Sequence, residues 1–307
     1  MANAELRIDR PSAAERARGL DFAWRHIDQP QRDQQITRTL ADWKGAVDPA
    51  AILLVARRGS EVVGGAWAQT QPGGTAMVSP PGVAEGEPAS TADRLLEELL
   101  ATLAGADVRL AQALLTTDCG DDFERLGRQR FEHVADLLYM VALASEFPDS
   151  PPAGDLEFEP YQESQQQRLA LLVERTYEGT RDCPRMNGLR ETTSVLAGYR
   201  AAGRFDPGRW FFLRHDGRDV GCLLLTEHPE HRQWELVYIG LVPEARGRSW
   251  GLEAVRRAQA LAAEAHATCL LLAVDAANEP AVAMYAAAGF AAWDRRSVLV
   301  RLSAGRN

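Results

Sequence analysis

Residues 235–251 read Glu-Leu-Val-Tyr-Ile-Gly-Leu-Val-Pro-Glu-Ala-Arg-Gly-Arg-Ser-Trp-Gly and run directly into an Ala-rich amphipathic segment. An apolar strand breaks at Pro243, a short Arg/Gly turn follows, and a helix starts at once. A chain built this way must pack the helix back against the sheet that holds the strand. The turn then aims unpaired backbone N–H groups and a positive helix end at one point, an arrangement suited to a pyrophosphate.

The rest of the chain supplies the frame. Residues 146–155 hold three prolines and a glycine among small polar residues, so they read as a linker between halves of similar length. In the second half, hydrophobic periodicity predicts strands at 156–161, 210–214, 220–227, 235–242, 269–275 and 297–302. Helices are predicted at 164–176, 191–201, 252–265 and 280–288. The first half repeats the order: strands at 6–8, 52–57, 61–68, 75–78, 108–115 and 135–142, with helices near 13–24, 33–43, 91–103 and 121–128. The order β-α-α-β-β-β-α-β-α-β thus occurs twice, which points to duplication and to an α/β fold whose mixed sheet carries helices on both faces.

Two motifs in the second half carry a resemblance. The turn reads Arg246-Gly247-Arg248-Ser249-Trp250-Gly251, and about 25 residues on comes Asn278, then a helix with Tyr285 that ends in Gly289-Phe290. Both resemble the signatures of the GNAT family of acyl-CoA-dependent N-acyltransferases, whose turn is Q/R-x-x-G-x-G/A. Ser249 stands where the family has its middle glycine. The resemblance implies two tandem GNAT-like domains, 1–145 degenerate and 156–307 catalytic, in an arrangement similar to that of mycothiol synthase-like proteins.

It also implies site residues. Backbone amides of Arg246, Gly247, Arg248, Ser249, Trp250 and Gly251 would cradle the diphosphate of acetyl-CoA, the expected co-substrate. The two arginine side chains either reach phosphates or lie on the surface. At negative φ, Ser249 leaves the cradle intact; at positive φ it costs about 1 kcal/mol and puts CoA binding in doubt. Amides of Leu241 and Val242 would bond the pantetheine and polarise the thioester, with Gly240 allowing a bulge or close approach. Glu235 is either a general base or an outward-facing strand residue. Tyr285 either serves the leaving thiolate or fills the core, and Asn278 can bond pantetheine, cap the following helix, or do both. In the family, the polar loop at 177–190 roofs the acceptor pocket, which makes Glu178, Asp182, Asn187 and Arg190 candidates for substrate contact. Cys183 lies in that loop without a partner His placed by the sequence, so it reads as structural.

The corresponding turn of the first half, residues 79–90, has three prolines and acidic residues in place of the Arg/Gly motif. Prolines remove amides and carboxylates repel phosphate, so this half reads as a worn copy.

Composition narrows partners. The net charge of −9 disfavours a general nucleic-acid binder. Lys44 is the only lysine among 34 Lys and Arg, so single arginines carry little weight. Four scattered cysteines (Cys119, Cys183, Cys222, Cys269) and six histidines show no ligand spacing, so no metal is expected. No membrane-length apolar run and no secretory h-region are visible, and the expected location is the cytoplasm. The expected activity is direct acetyl transfer from acetyl-CoA to a primary amine of a small molecule or a peptide N-terminus. A non-catalytic acyl-CoA-binding or regulatory module is the alternative. A nucleotide P-loop fits poorly, because the turn lacks the Gly-Lys-Ser/Thr ending. The sequence names neither the acceptor nor the oligomeric state.

Overall fold

The computed structural model describes residues 5–43, 47–106, 108–116, 120–148, 150 and 153–303. Cys119 and three linker residues (Asp149, Pro151, Pro152) lie outside the described residues. The chain forms two compact units, 1–133 with 297–307 and 134–296.

The first unit contains β1 (Leu6–Asp9), α1 (Arg16–Ala23), α2 (Gln29–Asp42), β2 (Ala51–Arg58), β3 (Glu61–Gln71), β4 (Thr75–Val83), α3 (Ala89–Ala104), β5 (Leu110–Thr116) and α4 (Gly120–Arg128). Its strands lie in the order β1-β2-β3-β4-β5. The pairs are antiparallel except β4 with β5, which run parallel and meet only at Thr75–Met77 and Leu110–Gln112. Leu95, Leu96 and Leu99, spaced at i, i+1 and i+4 along α3, are fully buried against this sheet.

The predicted loop after Val78 is a correction. β4 continues through Pro80, Pro81 and Gly82. α1 presses on it there: a Cβ on Gly82 would lie 2.0 Å from the Phe22 carbonyl oxygen, and one on Gly65 would lie 2.1 Å from that of Gly19. Close helix packing, rather than a ligand, explains these glycines.

The second unit takes β6 (Glu132–Leu143) from Val134 onward. It adds β7 (Glu157–Pro160), α5 (Gln166–Tyr177), α6 (Thr192–Ala201), β8 (Trp210–His215), β9 (Arg218–His228), β10 (Gln233–Leu241), α7 (Trp250–Glu264), β11 (Cys269–Asp275), α8 (Glu279–Ala287) and the start of β12 (Ala291–Leu302). Its strand order is β6-β11-β10-β9-β8-β7. The compact units therefore do not follow the linear halves: β6 joins the second, and from Ser297 onward β12 joins the first. β12 also starts six residues before the predicted strand, because Trp293-Asp-Arg-Arg296 hides the apolar alternation.

Trp210, Phe212 and Trp234 are at most 2% exposed and anchor the core of this unit. Each such side chain contributes about 2–3 kcal/mol of burial free energy. Arg168 bridges Glu159 and Asp219 and lies 3.9 Å from the centre of the Phe212 ring, locking α5 to β7 and β9. Among the described residues no helix is long and apolar enough to cross a membrane.

Candidate active site

β10 and β11 run parallel, but their pairing stops after Glu235–Leu271. Beyond that point the two strands diverge, as β4 and β5 do in the first unit. The gap opens a cavity of about 710 Å³, a size that suits a small-molecule or cofactor site. It is walled by β10 from Leu236 to Leu241, by Ala273 and Val274 of β11, by the turn before α7, by α8 and by the loop after α5.

Register shows which backbone groups face it. Val242 donates its N–H to Val220 at 3.0 Å, so Val242 and, two and four residues back, Gly240 and Tyr238 turn their hydrogen-bonding groups towards β9. Ile239 and Leu241, in the alternate phase, turn theirs towards the gap. Of the two amides expected to meet pantetheine, that of Leu241 faces the gap, whereas that of Val242 is already taken by Val220. Ile239 was missed, because the phase of a strand's hydrogen bonds is not written in its side chains. The bulge lies between Leu236 and Tyr238 rather than at Gly240. Gly240 instead admits α5, since a Cβ there would come within 2.7 Å of the Thr176 and Tyr238 oxygens.

The turn is built from left-handed backbone. Gly247 has φ +75° and Ser249 φ +61°, and α7 begins at Trp250. Gly247 is required by its conformation, as open space surrounds the position of its missing Cβ. Gly251 is required by packing, since a Cβ there would lie 2.7 Å from Met284 Sδ. Ser249 thus occupies the strained option, at a cost of about 1 kcal/mol that the surrounding fold absorbs. Ser249→Gly is expected to raise the urea midpoint, adding about 0.5–1 kcal/mol of stability. A lower midpoint would show that the hydroxyl makes a compensating bond.

The side chains of the turn depart from expectation. Arg246 donates to Leu241, Gly179 and Thr176 carbonyls at 3.2, 3.1 and 2.9 Å, so its guanidinium clamps the turn to the end of α5. Arg248 is exposed beside the Trp250 ring, and Trp250 packs against His215. Neither Arg248 nor Trp250 borders the cavity, whereas Arg246, Gly247, Ser249 and Gly251 do.

Tyr285 lines the cavity and is 5% exposed. Burial, and secondarily the nearby Asp182 charge, raise its phenol above the ordinary tyrosine range. α8 is held in place by Gln259 of α7, whose amide nitrogen donates to Ala288 at 2.7 Å in the interior. Asn278 occupies the N-cap position of α8 but makes no side-chain capping bond, and it borders the cavity.

Of the four loop candidates only Asp182 borders the cavity. The residue as a whole is exposed, yet its carboxyl turns inward and accepts the Asp275 N–H at 2.9 Å. Asp275 in turn accepts the N–H groups of Cys183 and Ala277 at 3.0 and 2.9 Å. This clasp fastens the loop to the end of β11. Desolvation raises the Asp182 pKa. Glu178 is exposed, Asn187 reaches the Tyr177 carbonyl at 3.5 Å, and Arg190 donates to Ser194, so none of the three is placed at the cavity. Burial pushes the Cys183 thiol up, which suppresses the thiolate a nucleophile needs.

Tyr238 closes the roof, sharing a hydrogen bond with Thr176 at 2.6 Å and stacking on Tyr199 with ring centres 5.4 Å apart. Glu235 does not border the cavity. It stands at the last paired position before the gap and meets His228 Nε2 at 2.9 Å. His228 drew no attention in the sequence, because its partner is brought near by the β9–β10 hairpin.

Residues 173–290 match the model for the Acetyltransferase (GNAT) family. A GCN5-related N-acetyltransferase from Sphaerobacter thermophilus superposes with a TM-score of 0.64 at 16% identity, over 97% of this chain and 95% of that one. A tandem GNAT protein from the clavulanic acid biosynthesis pathway superposes with a TM-score of 0.56 at 16% identity, over 99% and 100%. The chain has a tandem GNAT-like fold. Its family match lies in the second repeat, and the two superpositions extend the fold likeness across both. A mycothiol acetyltransferase from Streptomyces griseus subsp. griseus is 39% identical over 100 residues, spanning 32% of this chain and 32% of that protein.

Proposed function

We propose that the second unit is an N-acetyltransferase that transfers an acetyl group from acetyl-CoA to a primary amine, with the first unit a worn copy of the same domain. One observation carries the reading: the gap between β10 and β11 opens onto both the amide cradle before α7 and the Tyr285 phenol. The donors present fit the ligand. Free N–H groups at a helix start suit a diphosphate, and the alternate-phase groups of Ile239 and Leu241 suit an extended pantetheine amide chain. Bound there, acetyl-CoA supplies an activated thioester.

The protein's own residues would do the rest. Glu235 takes a proton from the acceptor ammonium and frees the nitrogen lone pair. The nitrogen attacks the thioester carbon, the C–N bond forms and the C–S bond breaks. The surplus nitrogen proton is lost and the thiolate gains one, giving an amide and free CoA. The Leu241 N–H is a candidate donor to the thioester oxygen. A phenol raised above its ordinary pKa is a weaker acid than a thiol, so Tyr285 serves the sulfur as a hydrogen-bond donor rather than giving up its proton. A small-molecule amine and a peptide N-terminus both remain acceptors of the right chemistry, and a location in the cytoplasm suits either.

Measuring CoA release from acetyl-CoA over a panel of amines tests this. Turnover with at least one amine, falling about 100-fold in Glu235→Gln, is expected. Tight acetyl-CoA binding without turnover on any amine would instead favour the acyl-CoA-binding module.

A further inference from the structure

On the acetyl-transfer reading, the attacking nitrogen loses two protons and the departing sulfur gains one. Glu235 takes the first. The second becomes acidic only after the C–N bond has formed, and the sulfur needs a proton as the C–S bond breaks. Tyr285 does not supply it, because burial, and then the Asp182 charge, make its phenol a weaker acid than a thiol. The chemistry calls for a group at the cavity that can hold one proton between the two events.

Among the described residues that border the cavity, Asp182 has the one carboxyl. Its place is fixed from several sides. Its own N–H donates to Thr180 Oγ1 at 3.0 Å, its Oδ1 accepts the Asp275 N–H at 2.9 Å, and the Cys183 N–H beside it donates to Asp275 Oδ2 at 3.0 Å. Asp275 itself is buried at the end of β11. Cys183 has φ +44°, a left-handed conformation that a residue with a side chain keeps only where its surroundings impose it. Clasping the loop uses a single carboxylate oxygen. Asp182 Oδ2 has no hydrogen-bond partner among the described residues, and no ion pair there engages the carboxylate. The titratable groups that face it are Asp275, Cys183 and the phenols of Tyr177, Tyr199, Tyr238 and Tyr285, none of them a cation. Apart from burial, the Asp182 charge is what raises the Tyr285 phenol, which puts the two groups at one end of the cavity.

We propose that Asp182 is a further catalytic residue, which carries the second proton from the nitrogen to the departing sulfur. The proposal rests on the acetyl-transfer reading. Once the C–N bond has formed, Oδ2 takes the surplus proton from nitrogen. The C–S bond then breaks with its electron pair going to sulfur, and Oδ2 gives the same proton to the thiolate. The carboxylate ends as it began, and Tyr285 holds the sulfur by its hydrogen bond throughout. Each transfer runs downhill: an N-protonated amide is a stronger acid than a carboxylic acid, and a carboxylic acid (pKa about 4) is stronger than a thiol (about 8.5). Desolvation, opposed by the Asp275 N–H, raises the Asp182 pKa and makes it the better proton acceptor of an ordinary pair of aspartates.

The test measures CoA release by the full chain, Asp182→Asn and Asp182→Ala, with the amine turned over fastest. Asparagine keeps an oxygen for the Asp275 N–H but carries no proton. Asp182→Asn is therefore expected to lower kcat about 100-fold, with the Kd for acetyl-CoA and the urea midpoint unchanged. Asp182→Ala leaves room for a small carboxylate, and added formate is expected to raise its kcat about tenfold while doing nothing for Asp182→Asn. A residue that only clasps the loop behaves otherwise: Asp182→Asn then keeps kcat within about threefold and formate leaves Asp182→Ala unchanged, and either result overturns the proposal. If no amine is turned over, the transfer reading falls by itself. Hydrolysis of acetyl-CoA then reads Asp182, because the thiolate displaced by water needs the same proton. Slower hydrolysis by Asp182→Asn than by the full chain supports the shuttle, and equal hydrolysis overturns it.

Discussion

Tyr285→Phe is expected to lower kcat about 100-fold, with KM for acetyl-CoA unchanged within about twofold. The ring sits in the interior, 5% exposed, against Phe290, and phenylalanine refills the same space, so thermal stability should hardly move. On the proposed mechanism, what is lost is one hydrogen-bond donor to the leaving sulfur. The raised phenol also predicts a pH profile. A group whose pKa lies above the ordinary tyrosine value keeps its proton as pH rises, so kcat should show no descending limb from Tyr285 up to about pH 10. Steady-state kinetics on both proteins from pH 6 to about 10 measure both effects. An unchanged kcat in the variant would assign Tyr285 to packing alone.

Arg246→Ala is expected to cost about 2 kcal/mol of stability and to raise KM for acetyl-CoA about tenfold. Its guanidinium bonds carbonyls on two separate segments, Leu241 before the turn and Thr176 and Gly179 at the end of α5. Removing it frees the turn whose amides are proposed to bind the diphosphate. Arg246→Lys should rescue little, because a single ammonium cannot span the three carbonyls in a planar fork. Urea denaturation beside acetyl-CoA titration separates two roles. A phosphate ligand would lose affinity, steeply with salt, at constant stability; a clamp loses both together. Constant stability would return Arg246 to the phosphate.

Much of this site was legible in the linear chain because its parts are local. Pro243 ends a strand, Gly247 supplies a positive φ, and an Ala-rich helix begins within one turn, all inside a dozen residues. Ser249 stands out by residue type alone, whereas the sign of its φ is open in the sequence and positive in the structure. What escaped notice depends on phase and partner. Whether Val242 or Ile239 faces the gap turns on which bonds β9 has already taken. Asp182 and Asp275 are 93 residues apart and look unrelated until the loop folds over the end of β11. Pro80 and Pro81 read as a loop, yet they continue β4 where α1 crowds it.

The amino-acid sequence by itself determined the repeated order of elements, the strand–turn–helix unit at residues 233–264 and the helix with Tyr285 that follows it. These follow from periodicity, turn chemistry and caps, which act over a few residues. Only the tertiary structure decided that Arg246 bonds the Thr176, Gly179 and Leu241 carbonyls, that the Val242 N–H is taken by β9 while Ile239 faces the gap, and that Glu235 meets His228. Those outcomes depend on strand register and on competition for hydrogen bonds between distant segments, and neither quantity exists until the sheet has formed.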